Sequence, residues 1–247
     1  MSPPKIVHRP SPNFDDRAKG QAPKMLVLHY TGMESNVEAI NRLCDDRSFV
    51  SAHYVVEENG TCFQLVHEAN RAWHAGESNW AGNDDINSCS IGIELCNPGH
   101  DWGYRKFPEQ QMKSLISLSR DIIRRNSIAS HLVLGHSDVA PRRKMDPGEL
   151  FDWQRLAREG IGVWPNKFIL SDKEVGPETI LLDALDIQRI QEKLGYLGYK
   201  ITVTGKRDHE TVAVAKAFQR HFRTNKIDGE LDKEVESILD NLLLQII

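Results

Sequence analysis

Three short apolar runs constrain this chain most: KMLVLHYTG (24–32), SIGIELCN (90–97) and HLVLGH (131–136). Each is continuous, brief and bounded by turn-forming or polar residues, as expected of a strand buried on both faces. Other periodicities fall between them. NVEAINRLCD (36–45) fits a polar helix, and SAHYVVEENGTCFQLV (51–66) fits a hairpin of two β-rich runs around Glu58-Asn59-Gly60. PEQQMKSLISLSRDIIRRN (108–126) has Pro108 near its start and an apolar face of Met112, Leu115, Ile116, Leu118, Ile122 and Ile123, which predicts a helix. Strands alternating with helices predict an α/β domain over 24–165, with a mixed central β-sheet flanked by helices.

Residues 1–23 are proline-rich and polar and read as an extended arm, and WPNKFILSDKEVGPET (164–179) breaks the pattern, which sets a linker at 166–180. Beyond it, three amphipathic stripes predict a small three-helix domain over 181–247: Ile187, Ile190, Leu194; Val214, Phe218, Phe222; and Leu231, Val235, Ile238, Leu239, Leu242. GKRDHET (205–211) and GELDKEV (229–235) echo one another, each placing a glycine three residues before an aspartate suited to cap a helix.

Composition excludes several classes. Of 247 residues, 40% are hydrophobic and 27% charged, which is ordinary for a soluble globular chain, and a net charge of −4 leaves no footprint for nucleic acid. No apolar run is long enough to span a bilayer, so no transmembrane segment is expected. The N-terminal MSPPKIVHRPSPNFDDR has no apolar core and is not a signal peptide, so the expected location is cytoplasmic for a complete chain, or the periplasm or cell envelope if a leader was removed. Cys44, Cys62, Cys89 and Cys96 form no CxxC pair and read as free thiols.

GHSDVAPRRKMDPG (135–148) carries the chemistry. His136 would end a strand and Asp146 lies ten residues on; alone, the pair reads equally as a turn-former and a surface charge. His29 adds a second imidazole at the end of a buried strand, on the face shared with Val27. Two imidazoles and a carboxylate leave a fourth tetrahedral position open, the pattern of a catalytic zinc. Cys96 is a softer alternative ligand whose neighbours favour packing. In SIGIEL, Ile91, Ile93 and Leu95 share one face while Gly92 and Glu94 share the other, where a carboxylate is costly unless it is paired or faces a cleft. Glu94 is therefore the candidate general base, with a salt bridge as its other reading. Lys144 would project near the metal or into solvent.

In order, LVLHYTG, SAHYVV, WHAGESNW, SIGIEL and GHSDVAPRRKMDPG resemble the zinc-dependent N-acetylmuramoyl-L-alanine amidases of the amidase type 2 family. With RPSPNFDDR ahead of the first strand, the likeness over 6–165 is to its AmiD-like branch. LDIQRIQEKLGYLGY and TVAVAKAFQRHF, within 183–243, resemble a peptidoglycan-binding type 1 module, although GKRDHET is charged where that family has a glycine-rich turn.

The resemblance implies a zinc ion on His29, His136 and Asp146, Glu94 as catalytic acid and base, and Lys144 as transition-state stabiliser. Related phage amidases have a tyrosine near the position of Ala52, so Glu94 is left with that role here. The resemblance further implies a substrate pocket lined by His53, Trp73 and His74, with His53 equally suited to packing and Trp73 to either the core or stacking on a sugar or peptide. Arg142 and its neighbour Arg143 suit either stem-peptide carboxylates or water. The implied partner is peptidoglycan or a muropeptide, and the implied reaction is hydrolysis of the amide between N-acetylmuramic acid and L-alanine. Recognition proteins of similar fold bind the wall without cutting it; the complete ligand set here favours an enzyme.

Overall fold

The computed structural model describes residues 5–166 and 183–246, so the linker expected at 166–180 lies, beyond Asn166, outside the described residues. Eight strands are present among the described residues: β1 (Ile6–His8), β2 (Phe14–Asp16), β3 (Met25–Tyr30), β4 (Tyr54–Val56), β5 (Cys62–Gln64), β6 (Asn70–Ala72), β7 (Ser90–Leu95) and β8 (Val133–Gly135). Six of them form one sheet in the order β1-β5-β4-β7-β3-β8. The hairpin β4–β5 is antiparallel, and the other neighbours run parallel. The sheet is mixed, as the alternating runs predict. The arm does more than lie on the domain, since β1 extends the sheet and β2 pairs with β6 in a separate two-stranded ribbon.

Period-two alternation sorts the two central strands. Leu26, Leu28, Ile91, Ile93 and Leu95 pack with Met112, Leu115, Ile116, Leu118 and Ile122 of helix α3 (Glu109–Asn126) in one core. α1 (Asn36–Leu43) covers a smaller cluster with Ile40, Leu43, Val55, Leu65 and Cys96; Cys96 is thus packing, and all four cysteines are free. On the other face, His29 and Glu94 are direct register partners, as are Val27 and Gly92. Three short helices complete the domain: α2 (Ile86–Cys89), α4 (His136–Val139) and α5 (Trp153–Arg158).

The C-terminal region forms α6 (Ala184–Leu197), α7 (His209–Phe222) and α8 (Lys233–Ile246). Both echoed aspartates cap as expected: Asp208 accepts from the Thr211 N–H at 2.9 Å and Asp232 from the Val235 N–H at 2.9 Å. Leu231 precedes α8 yet is buried in the same core. That core is not the module's alone. Val27, Trp80, Leu134 and Val139 of the first domain belong to one buried cluster with Ile190, Leu194, Tyr199, Phe218 and Phe222. The Ala81 N–H donates to the Gly198 carbonyl at 2.7 Å, and Trp80 meets Tyr199 edge to face at 4.8 Å.

Candidate active site

β3 delivers His29 at the C-terminal end of the sheet, and β8 delivers the chain to His136, which is the first residue of α4 rather than the last of a strand. The loop that follows returns Asp146, and the Ser137 N–H donates to the Asp146 carbonyl at 2.9 Å. Three ligand atoms then converge in a buried group. His29 Nδ1 lies 2.9 Å from His136 Nδ1 and 3.2 Å from Asp146 Oδ2, and His136 Nδ1 lies 3.0 Å from Asp146 Oδ2.

Their partners assign the protons. His136 Nε2 is 3.0 Å from the Ala75 carbonyl, which can only accept, so Nε2 carries the hydrogen and Nδ1 is bare. The Ser90 hydroxyl donates to the Ile86 carbonyl at 2.6 Å and therefore accepts from His74 Nε2 at 3.1 Å. His74 Nδ1 is then bare and accepts from His29 Nε2 at 3.0 Å, which leaves His29 Nδ1 bare as well. Two lone pairs and a carboxylate oxygen thus face one another with no proton between them, an arrangement that repels itself unless a cation sits at its centre. Donors about 2.0–2.1 Å from a tetrahedral zinc stand about 3.3 Å apart, close to the spacing found. The residues fit a metal ion.

Burial, reinforced by His136, lowers the His29 pKa to about 4.

Next to this group opens a cavity of about 560 Å³ whose lining includes Tyr30, Trp73, His74, Glu94, Arg143 and Lys144. Glu94 stands beside His29 in the sheet register, and its Oε2 is sealed from solvent with no hydrogen-bond partner among the described residues. Burial, and then the charge of Asp146, push its pKa well above 4.5, while Lys144 pulls the other way. Lys144 has no ion-pair partner among the described residues, so its ammonium is available to the cavity.

The remaining expected residues divide. Trp73 is a wall, its indole N–H held by Asp15 of β2 at 3.1 Å. His74 lines the cavity, but both its ring nitrogens are spent on His29 and Ser90, so it orients a ligand. His53 follows the packing alternative: it is buried and does not line the cavity, accepting from the Gly92 N–H at 3.0 Å and donating to the Asn70 carbonyl at 3.1 Å. Arg142 follows the solvent-facing alternative. It is exposed and does not line the cavity, whereas Arg143 does, with its guanidinium anchored on the Ala75 and Glu77 carbonyls at 2.8 and 2.7 Å. Sequence reasoning missed Ser90 and Tyr30; the Tyr30 hydroxyl meets His100 Nδ1 at 2.9 Å.

Residues 19–149, which include all three converging ligands, Glu94 and Lys144, match the N-acetylmuramoyl-L-alanine amidase family model. The chain belongs to the N-acetylmuramoyl-L-alanine amidase family. Residues 183–239 of this amidase match the model of a peptidoglycan binding domain. The amidase is 38% identical to N-acetylmuramoyl-L-alanine amidase AmiD of Escherichia coli, over 96% of this chain and 90% of that protein. It is 34% identical to 1,6-anhydro-N-acetylmuramyl-L-alanine amidase AmpD of Haemophilus influenzae, over 59% of this chain and 86% of that protein. Among solved structures, it resembles E. coli AmiD in complex with anhydro-N-acetylmuramic acid-L-Ala-D-gamma-Glu-L-Lys, with a TM-score of 0.77, 34% identity and coverage of 94% of this chain and 98% of that one. It also resembles AmpDh3 of Pseudomonas aeruginosa in complex with anhydromuramic pentapeptide, with a TM-score of 0.76, 29% identity and coverage of 93% and 95%. Among the described residues, no helix is long and apolar enough to cross a membrane.

Proposed function

We propose that this amidase hydrolyses the amide between N-acetylmuramic acid and L-alanine in peptidoglycan or its muropeptides, using one zinc ion held by His29 Nδ1, His136 Nδ1 and Asp146 Oδ2. The observation that carries the reading is Glu94: an unpartnered carboxylate oxygen, beside three convergent electron pairs, at the edge of a cavity. A bound zinc supplies Lewis acidity, polarising the scissile carbonyl and acidifying water. Glu94 takes the proton of the attacking water on its free oxygen and returns it to the leaving amine of L-alanine. Burial raises its pKa, which makes it a stronger acceptor for the water proton than an ordinary carboxylate.

Lys144 offers positive charge to the oxyanion that forms as the carbonyl is attacked, a contribution of about 3 kcal/mol for a well-placed group. Trp73 supplies a flat apolar wall for a sugar ring or the peptide, and Arg143 takes the carboxylate-binding role first considered for Arg142. The likeness to AmiD and AmpDh3, both solved with anhydromuramic peptides, supports a peptidoglycan fragment as the ligand.

Glu94→Gln keeps the shape and removes the base. The expected result is an unchanged zinc content with turnover of purified muropeptide reduced about 10²–10⁴-fold; cleavage near the wild-type rate would remove Glu94 from the mechanism. In the same assay a chelator is expected to abolish peptide release and added zinc to restore it. Wild-type protein that binds muropeptide, holds zinc and releases no peptide would be a recognition protein rather than an enzyme.

A further inference from the structure

Asp138 lies two residues beyond His136, inside the α4 turn, and is 1% exposed. A carboxylate so deeply buried must be supplied with donors. One donor is local: the Gly135 N–H, 2.7 Å from Oδ2, in the peptide one residue ahead of His136. The other two come from the C-terminal module. Tyr199, just after α6, gives its hydroxyl to Oδ1 at 2.6 Å, and His221 near the end of α7 gives Nδ1–H to Oδ2 at 2.7 Å.

Both ends of this arrangement are immobilised. The His221 ring stacks on Trp153, with centroids 3.8 Å apart, and on Phe222 at 3.9 Å, so its donor direction is fixed. Gly135 is boxed in, because a Cβ there would stand 2.9 Å from Pro147 Cδ and 3.3 Å from Trp153. Asp138 therefore cannot shift to compensate for a missing donor without drawing on the backbone that presents His136. Removing a donor leaves part of a buried carboxylate unsatisfied.

We infer that His221 and Tyr199 are positioning residues for the metal ligand His136, acting through Asp138, so that the peptidoglycan-binding-like module is part of the scaffold of the metal site. The inference rests on reading His29, His136 and Asp146 as that site. It assigns the module a role separate from holding the polymer. It also separates these two residues from generic interface packing, because their effect runs through one turn and one ligand.

The test uses the full chain in four variants. His221→Phe keeps the stack and deletes the donor. Tyr199→Phe deletes one hydroxyl. His221→Asn keeps an N–H near the position of Nδ1. Leu239→Ala hollows the module core without touching Asp138. Two quantities are read: zinc affinity by competition with a chromophoric chelator, and amide hydrogen exchange over residues 135–140 in metal-stripped protein. The expected result is zinc affinity about tenfold weaker and faster exchange in His221→Phe, a smaller change of the same kind in Tyr199→Phe, and recovery of both quantities in His221→Asn. Leu239→Ala is expected to lower the melting temperature while leaving both unchanged. Zinc affinity within twofold of wild type in His221→Phe, or an equal loss in Leu239→Ala, overturns the inference. If the wild type holds no zinc, the metal reading fails on its own. The exchange measurement then decides alone: faster exchange supports the positioning role and unchanged exchange refutes it.

Discussion

Gly92 shows how much of the site depends on what a residue lacks. A Cβ at this position would stand 2.4 Å from Cγ of His74, so the ring that orients His29 occupies the space a side chain would fill. The strand itself tolerates alanine, and the cost falls on the imidazole. Gly92→Ala is expected to push His74 off His29 Nε2, freeing His29 to adopt the other tautomer and weakening zinc affinity about 10–100-fold. The chelator competition reads this directly, and an unchanged affinity would mean that His74 is dispensable to the ligand. Legibility follows the same logic. Strand alternation sets His29 with Val27 and Glu94 with Gly92 within their own strands, but only the sheet register makes the two side chains neighbours. His74 was legible as a site residue but not as the partner of His29, since that contact crosses 45 positions of chain. Arg142 and Arg143 are neighbours in a loop, where no period exists to say which guanidinium turns inward.

At the scale of elements, several side chains fasten the proline-rich arm, Ser11, Asn13 and Arg17 among them. Arg17, just past β2, donates to the carbonyls of Glu68, Asn87, Ser88 and Ser90, and also lies 3.0 Å from His53 Nε2. Burial, and then the Arg17 charge, depress the His53 pKa from 6.5 to about 3. Between those values the unfolded chain binds a proton that the native imidazole refuses, so stability falls as the pH drops from about 6.5 and levels off only below about 3. The slope from this one group is at most about 1.4 kcal/mol per pH unit. Denaturant melts of metal-free protein across this range are expected to show a shallower decline in His53→Gln than in wild type; parallel curves would mean that His53 titrates normally. The hydrophobic pattern reveals the arm as extended but not as two strands, because β1 and β2 are three residues each and take their pairing from the edges they join.

At the scale of the molecule, composition and periodicity separate an α/β unit from a three-helix unit, yet nothing in either stripe pattern says that the two share a core. An amphipathic face reports that something covers it, and not what. Here Trp80, Leu134 and Val139 are covered in part by the module, and Asp138 takes two of its three donors from it. A chain ending at Asn166 would expose that apolar patch and leave the buried carboxylate with the Gly135 N–H alone. H. influenzae AmpD aligns over 59% of this chain and 86% of its own length, so a domain of this family can stand with little beyond the match. In this protein the same cut is expected to give a species that melts well below the full chain, self-associates through the uncovered face, and retains zinc poorly. Calorimetry with light scattering and metal analysis would measure all three. A truncated domain as stable, monodisperse and zinc-loaded as the parent would mean that the module is only tethered, and that the shared cluster contributes little to either fold or site.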